Sequence, residues 1–157
     1  MASPASGALR VYLAAPLFTQ HERLWNRDLA RRLEERLACS VILPQDYKVE
    51  GCKHHSKRFL GEIFRLCVEG VRECDAMVAI LDGPDADSGT CFEVGYAYAL
   101  GKPIVGVRTD YRSQQELGTN LMLARGCHAF VRRPAFDEDL DGLVAELARK
   151  LKRLLAL

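Results

Sequence analysis

Short apolar runs alternate along this chain with longer stretches in which apolar residues recur every three or four positions. The runs are Leu9–Ala14, Ser40–Leu43 (stopped by Pro44), Ala76–Leu81, Ile104–Val107 and His128–Val131. Near-continuous apolar runs of this length are the mark of strands covered on both faces. Between the first two, Trp25, Leu29, Leu33 and Leu37 fall four apart over about Thr19–Ala38, with Arg23, Arg27, Arg31, Glu34 and Glu35 on the other side. A second helical stripe joins Leu60, Ile63, Cys67, Val71 and Cys74. A third helix is predicted over Ser88–Leu100, closed by Gly101 and then Pro103. After Pro134, the spacing of Leu140, Leu143, Leu147, Leu151 and Leu154 predicts a last helix.

Strands that alternate with helices in this way imply βαβ units and a parallel sheet. Five strands with helices on both faces predict an α/β fold, a flavodoxin-like doubly wound five-stranded parallel sheet. The chain has no repeat or low-complexity tract. Residues 9–157 are therefore expected to form one domain, behind a disordered N-terminal tail of residues 1–8. That tail has neither the basic nor the apolar region of a signal peptide. The segment Gln45–Lys57 is polar and long for a connection in a compact domain, as functional or mobile loops often are.

The composition excludes several classes of partner. Apolar residues make up 48% of the 157 and charged residues 27%, with a formal charge of +1. A balance so near zero, with basic and acidic residues mixed, leaves no footprint for nucleic acid or an anionic membrane. No apolar run approaches the roughly 20 residues of a membrane span. Six cysteines without a CxxC pair imply reduced thiols and a cytoplasmic location. Cys52, His54 and His55 lie close together, but no second ligand cluster completes a tetrahedral metal site. No GxGxxG or Walker loop follows the first strand, which argues against a dinucleotide or triphosphate. No cofactor and no metal are expected.

The stretch 74–103, CDAMVAILDGPDADSGTCFEVGYAYALGKP, carries the candidate chemistry. Its apolar run ends in a loop holding Asp82, Asp85 and Asp87, and the helix that follows carries one carboxylate, Glu93. Open α/β sheets bind ligands beyond the carboxyl ends of their strands. Asp87 reads either as the N-cap of that helix or as a functional acid. Gly89 and Ala97 lie four residues either side of Glu93, and Tyr96 three residues on, so small neighbours leave an open pocket above the carboxylate. From the first strand, Tyr12 can reach a carboxylate with its phenol. Phe18 either covers an aromatic ligand or packs in the core, the core being the simpler expectation.

YLAAPLF at residues 12–18, LPQ at Leu43–Gln45, the 74–103 segment and NLM at Asn120–Met122 together resemble the nucleoside 2-deoxyribosyltransferases. The resemblance covers about Val11 to Met122. It implies transfer of a 2-deoxyribosyl group between nucleobases, with 2′-deoxynucleosides and free bases as substrates and a role in purine salvage. By position, Glu93 would be the nucleophile, Tyr12 its orienting partner, and Asp87 the group that holds the base and manages its proton. Gln45 would sit near the base, with Phe18, Asp82 and Gly89 also lining the site. Asn120 would reach the sugar 5′-hydroxyl from a neighbouring subunit, with Met122 beside it. The family implies a dimer-based homo-oligomer, up to a hexamer, with a shared active site. One position departs from it: the family usually has an acid where this chain has Cys67, and a thiol there is a weak hydrogen-bonding group. Base preference is where that change is expected to act.

Two other readings are distinguishable. A nucleoside or nucleoside 5′-monophosphate N-glycosidase of the same superfamily would let water resolve the glycosyl-enzyme. Phosphate-binding relatives tend to have Ser where Asn120 stands, and the first loop offers Thr19 without further hydroxyls. A non-enzymatic nucleoside-binding module would use the same sheet edge without needing Glu93. The loop Thr109–Arg112 lies at that edge, with substrate contact and subunit contact both open.

Overall fold

The computed structural model describes residues 8–110 and 118–157. The tail of residues 1–7 lies outside the described residues, as do Tyr111 and Arg112. The elements run β1 (Arg10–Ala14), α1 (Gln20–Leu37), β2 (Ser40–Ile42), a 3₁₀ turn (Pro44–Asp46), α2 (Lys57–Glu73), β3 (Ala76–Ile80), α3 (Ser88–Ala99), β4 (Ile104–Arg108), α4 (Leu121–Gly126), β5 (Ala129–Arg132) and α5 (Leu140–Leu155). The strands form one parallel sheet in the order β2-β1-β3-β4-β5. This is the flavodoxin-like order predicted, with its reversal point between β1 and β3.

Strand ends moved by a residue or so. β2 stops at Ile42 because Pro44 opens the 3₁₀ turn, and β4 runs on to Arg108. The helix α4 was not predicted. Six residues are too few to show a 3.6-residue period, and the local cue was Asn120, whose Oδ1 accepts from Met122 N at 2.9 Å.

Alternation along the strands divides the core in two. Val11, Leu13, Val78, Ile80, Val105, Val107 and Val131 face the side covered by α1 and α5, against Leu29, Leu33, Leu143, Leu147 and Leu151. Tyr12, Ala14, Met77, Ala79, Leu81 and Ile104 face the other, against Val71, Val94, Ala97 and Leu123 of α2, α3 and α4. The odd-even step in β1 thus sends Tyr12 to the α2/α3 side.

The loop from β1 into α1 is fixed by a capping box. Thr19 Oγ1 accepts from Glu22 N at 3.3 Å, and Glu22 Oε2 accepts from Thr19 N and Phe18 N at 2.8 and 2.9 Å. Those bonds hold Glu22 well within the ionised range, chiefly through the Thr19 bond. They also explain why Phe18, expected in the core, stands 76% exposed: the cap turns the chain before the helix covers it. Thr19→Ala removes the cap and is expected to cost about 1 kcal/mol in urea unfolding, with an unchanged m value.

Candidate active site

β1 and α3 meet at one contact. Tyr12 Oη donates to Glu93 Oε1 at 2.6 Å, joining residues 81 apart in sequence. Tyr12 is fully buried in a central strand, paired on one side with Ile42 and on the other with Met77. Glu93 is placed by the start of its helix. Asp87 caps α3, its Oδ2 accepting from Thr90 N at 2.8 Å and from Thr90 Oγ1 at 3.2 Å. The N-cap reading of Asp87 is therefore realised. One turn before Glu93, Gly89 presents no side chain; a Cβ there would lie 3.1 Å from Asp87 Oδ2.

Between α2 and α3 opens a cleft of about 280 Å³, lined by Phe64, Cys67, Val71, Gly89, Phe92 and Tyr96 around Glu93. Gly89 and Tyr96 flank the carboxylate as the spacing predicted. Ala97 does not line the cleft; it is buried against the sheet.

This apolar wall sets the electrostatics. Burial, assisted by the charge of Asp87, raises the Glu93 carboxyl from 4.5 to about 7, against the opposing hydrogen bond from Tyr12. The Tyr12 phenol is pushed far above its ordinary range by burial and by Glu93, so it remains a donor. Burial and the Glu93 charge also push the Cys67 thiol up, keeping it neutral. Tyr47, which sequence reasoning missed, stands in the same environment: burial comes first, then Cys67 and Glu93, in raising its phenol. Its only signal was a position in the polar loop after β2. A half-buried carboxylate that titrates near neutrality is suited to nucleophilic or acid–base work.

The remaining predicted residues make the following contacts within the chain. Asp82 accepts from Thr109 N (2.6 Å), Thr109 Oγ1 (2.5 Å) and Asp110 N (3.2 Å), tying the end of β3 to that of β4. Arg108, buried, completes that clamp through Leu81 O, Gly83 O and Asp110. Gln45 is anchored at both ends of its amide: Nε2 donates to Arg23 O at 2.9 Å, and Oε1 accepts from Asn26 Nδ2 at 3.4 Å. Asn120 and Met122 are exposed and lie across α3 from Glu93. They border a second cavity, of about 580 Å³, with Cys91, Val94, Tyr98 and Leu123. Within one chain they do not join the Glu93 cleft. His54 packs on Phe59 at 4.3 Å between centroids, with His55 beside it. Among the described residues, no group of three or more His, Cys, Asp or Glu is placed to hold a metal ion, and no helix is long and apolar enough to cross a membrane.

Comparison with known proteins supplies the context. The family model described as nucleoside 2-deoxyribosyltransferase matches residues 11–122. A nucleoside deoxyribosyltransferase of Limosilactobacillus fermentum is 28% identical over 126 residues, covering 74% of this chain and 75% of its own. A conserved protein from Enterococcus faecalis V583 shares the fold, with a TM-score of 0.71 at 24% identity over 93% of this chain and 98% of that one. The 2-deoxyribosyltransferase from Bacillus psychrosaccharolyticus superposes with a TM-score of 0.67 at 25% identity, over 86% of this chain and 90% of its own.

The position of Glu93 has a stability consequence whatever it reacts with. Its folded pKa lies above its unfolded one, so as pH rises from about 4.5 to about 7 the unfolded chain ionises first and the fold loses stability. Glu93→Gln removes that loss. Thermal melts are expected to show variant and wild type differing by a constant amount below about pH 4.5, the variant gaining between there and about pH 7, and no further change above.

Proposed function

The chain belongs to the nucleoside 2-deoxyribosyltransferase family, enzymes acting on nucleosides, and from that premise we propose that it moves a 2-deoxyribosyl group between nucleobases through a covalent ester on Glu93. The observation that carries this reading is the 2.6 Å bond from Tyr12 to Glu93 inside a cleft that Gly89 leaves open.

In the first step a Glu93 carboxylate oxygen attacks C1′ from the face opposite the base. The C1′–N bond breaks, and the base departs with the bonding pair and takes up a proton. The glycosyl ester then meets a second base, whose ring nitrogen attacks C1′ from the vacated face, loses its proton, and returns Glu93 as a carboxylate. Two inversions give net retention. The positive charge that builds on the sugar is balanced by Glu93 in surroundings of low polarity, where the attraction is strong. Tyr12 fixes one Glu93 oxygen and leaves the other free to attack. Asp87, at the helix start beside the cleft, is the group to exchange a proton with the base.

Asn120 and Met122 act on this reading at the cleft of a second copy, since α3 stands between them and Glu93 of their own chain. The active unit is then a homo-oligomer, at least a dimer, working in the cytoplasm.

Purified protein incubated with deoxyinosine plus adenine, and separately with deoxycytidine plus adenine, is expected to form deoxyadenosine on chromatography. Denaturing mass spectrometry after deoxynucleoside alone is expected to show one added deoxyribosyl group, absent from Glu93→Ala. Tyr12→Phe is expected to cost about 10²-fold in kcat by loosening the nucleophile. Free base and deoxyribose without new nucleoside would instead assign an N-glycosidase. Transfer surviving in Glu93→Ala would overturn the role of Glu93.

A further inference from the structure

Gly70 lies one turn before the end of α2, where a glycine weakens the helix relative to alanine. No backbone need explains it, because the glycines with positive φ are Gly51, Gly83, Gly101 and Gly118 among the described residues. The explanation is packing. A Cβ at Gly70 would overlap the phenol oxygen of Tyr47, lie 2.9 Å from Tyr12 Cε2 and 3.2 Å from Ile42 Cγ2. Three segments (β1, β2 and the turn after β2) thus converge on one missing side chain. In the same helix Gly61 has nothing within 4 Å of the corresponding position.

We infer that Gly70 is a positioning residue: it is the notch into which the Tyr12 and Tyr47 rings pack, and it holds the Tyr12 hydroxyl on Glu93. Tyr12 has little freedom to yield. Its backbone is held in a strand paired on both sides and its ring is buried, so a Cβ at Gly70, 2.9 Å from Cε2, tilts the ring about its fixed base and swings the hydroxyl off Glu93. The same notch connects the turn after β2 to the nucleophile through Tyr47. In its catalytic consequence the inference rests on the function proposed above; in its geometry it does not.

Among the described residues, the titratable groups around the Glu93 carboxyl are Tyr12 from β1, Tyr47 from the turn after β2, Cys67 from α2, Asp87 from the start of α3 and Tyr96 one turn on along α3. Of these, Tyr12 stabilises the ionised form by donating to it, whereas the charge of Asp87 opposes it. Moving Tyr12 away therefore raises the Glu93 pKa, and a nucleophile that must be ionised then needs a higher pH.

The test is a ¹³C NMR titration of the Glu93 carboxyl in the full chain, its signal assigned by its loss in Glu93→Gln. Gly70→Ala and Tyr12→Phe are both expected to move the midpoint upward by about half a unit or more, and Gly61→Ala to leave it in place. Where Gly70→Ala folds poorly, Gly70→Ala/Tyr47→Phe removes the overlapped oxygen and keeps the Tyr12 contact, so its midpoint is expected to stay raised. A folded Gly70 variant with the wild-type midpoint, while Tyr12→Phe shifts it, overturns the inference. The acid limb of the kcat profile for deoxyadenosine formation is expected to follow the NMR midpoint in each variant. Shifted midpoints in an enzyme that forms no deoxyadenosine would leave the notch in place and overturn the proposed transfer instead.

Discussion

The hydrogen bond from Tyr12 to Glu93 is the contact around which the rest of this structure is arranged. It needs β1 in the middle of the sheet, so that Tyr12 is gripped by neighbours on both sides. It needs α3 to start where it does, since one residue of slippage would turn Glu93 by about 100° around the helix axis. Asp87 fixes that start through Thr90, and the buried Val94 and Ala97 fix the helix against β3 and β4. It also needs α2 close enough to close the cleft, which the absence of a side chain at Gly70 permits. Each of these is a packing or capping requirement, and together they place one phenol and one carboxylate within 2.6 Å.

The same arrangement makes Glu93 costly to ionise. Burial is the main cause, and the Asp87 charge adds to it. Cys67 matters here for what it is not. A second acid at that position would stand near Glu93 and raise it further, because like charges at short range do not ionise together. Among the described residues, the neutral thiol leaves Asp87 as the one carboxylate acting on Glu93 and makes this wall of the cleft apolar with Phe64, Val71 and Phe92. Glu69, two residues further along α2, does not replace the missing acid: it is exposed and paired with Arg65.

The sheet was legible because its three central strands are covered on both faces and so appear as nearly unbroken apolar runs. The long helices were legible because their stripes are wide enough to repeat. Tyr12, Glu93 and Gly89 were also within reach, since helical spacing and strand alternation fix which faces they occupy. What escaped has a common cause. Tyr47 and Gly70 are meaningful only as a pair, a bulky ring and a missing Cβ brought together from separate segments, and no local pattern links the two. Gln45 was assigned to the site through the family resemblance and Asp82 as an acid in a loop at the carboxyl edge, and sequence does not show the contacts either makes within the fold. In the fold they hold those loops down, Gln45 against α1 and Asp82 against the end of β4. The core reading of Phe18 failed because hydrophobicity alone does not reveal a capping box turning the chain outward.

The helix α3 shows how a short element can serve three neighbours. Thr90, Val94 and Ala97 are buried, Gly89, Phe92, Glu93 and Tyr96 border the cleft with α2, and Cys91, Gly95 and Tyr98 border the cavity with α4. Across these twelve residues there is one charged side chain, Glu93. Carboxylates that serve only the fold are usually paired, as Asp28, Asp110 and Asp137 are with arginines. Among the described residues no cation pairs with Glu93; it has a phenol for a partner and apolar walls around it. A negative charge held without its counter-charge is poorly suited to stabilising the resting fold. On the proposed mechanism the counter-charge arrives with the substrate, as positive character on the sugar during bond cleavage. The attraction left unsatisfied in the free protein is then realised chiefly in the transition state, which is the condition for binding energy to accelerate a reaction.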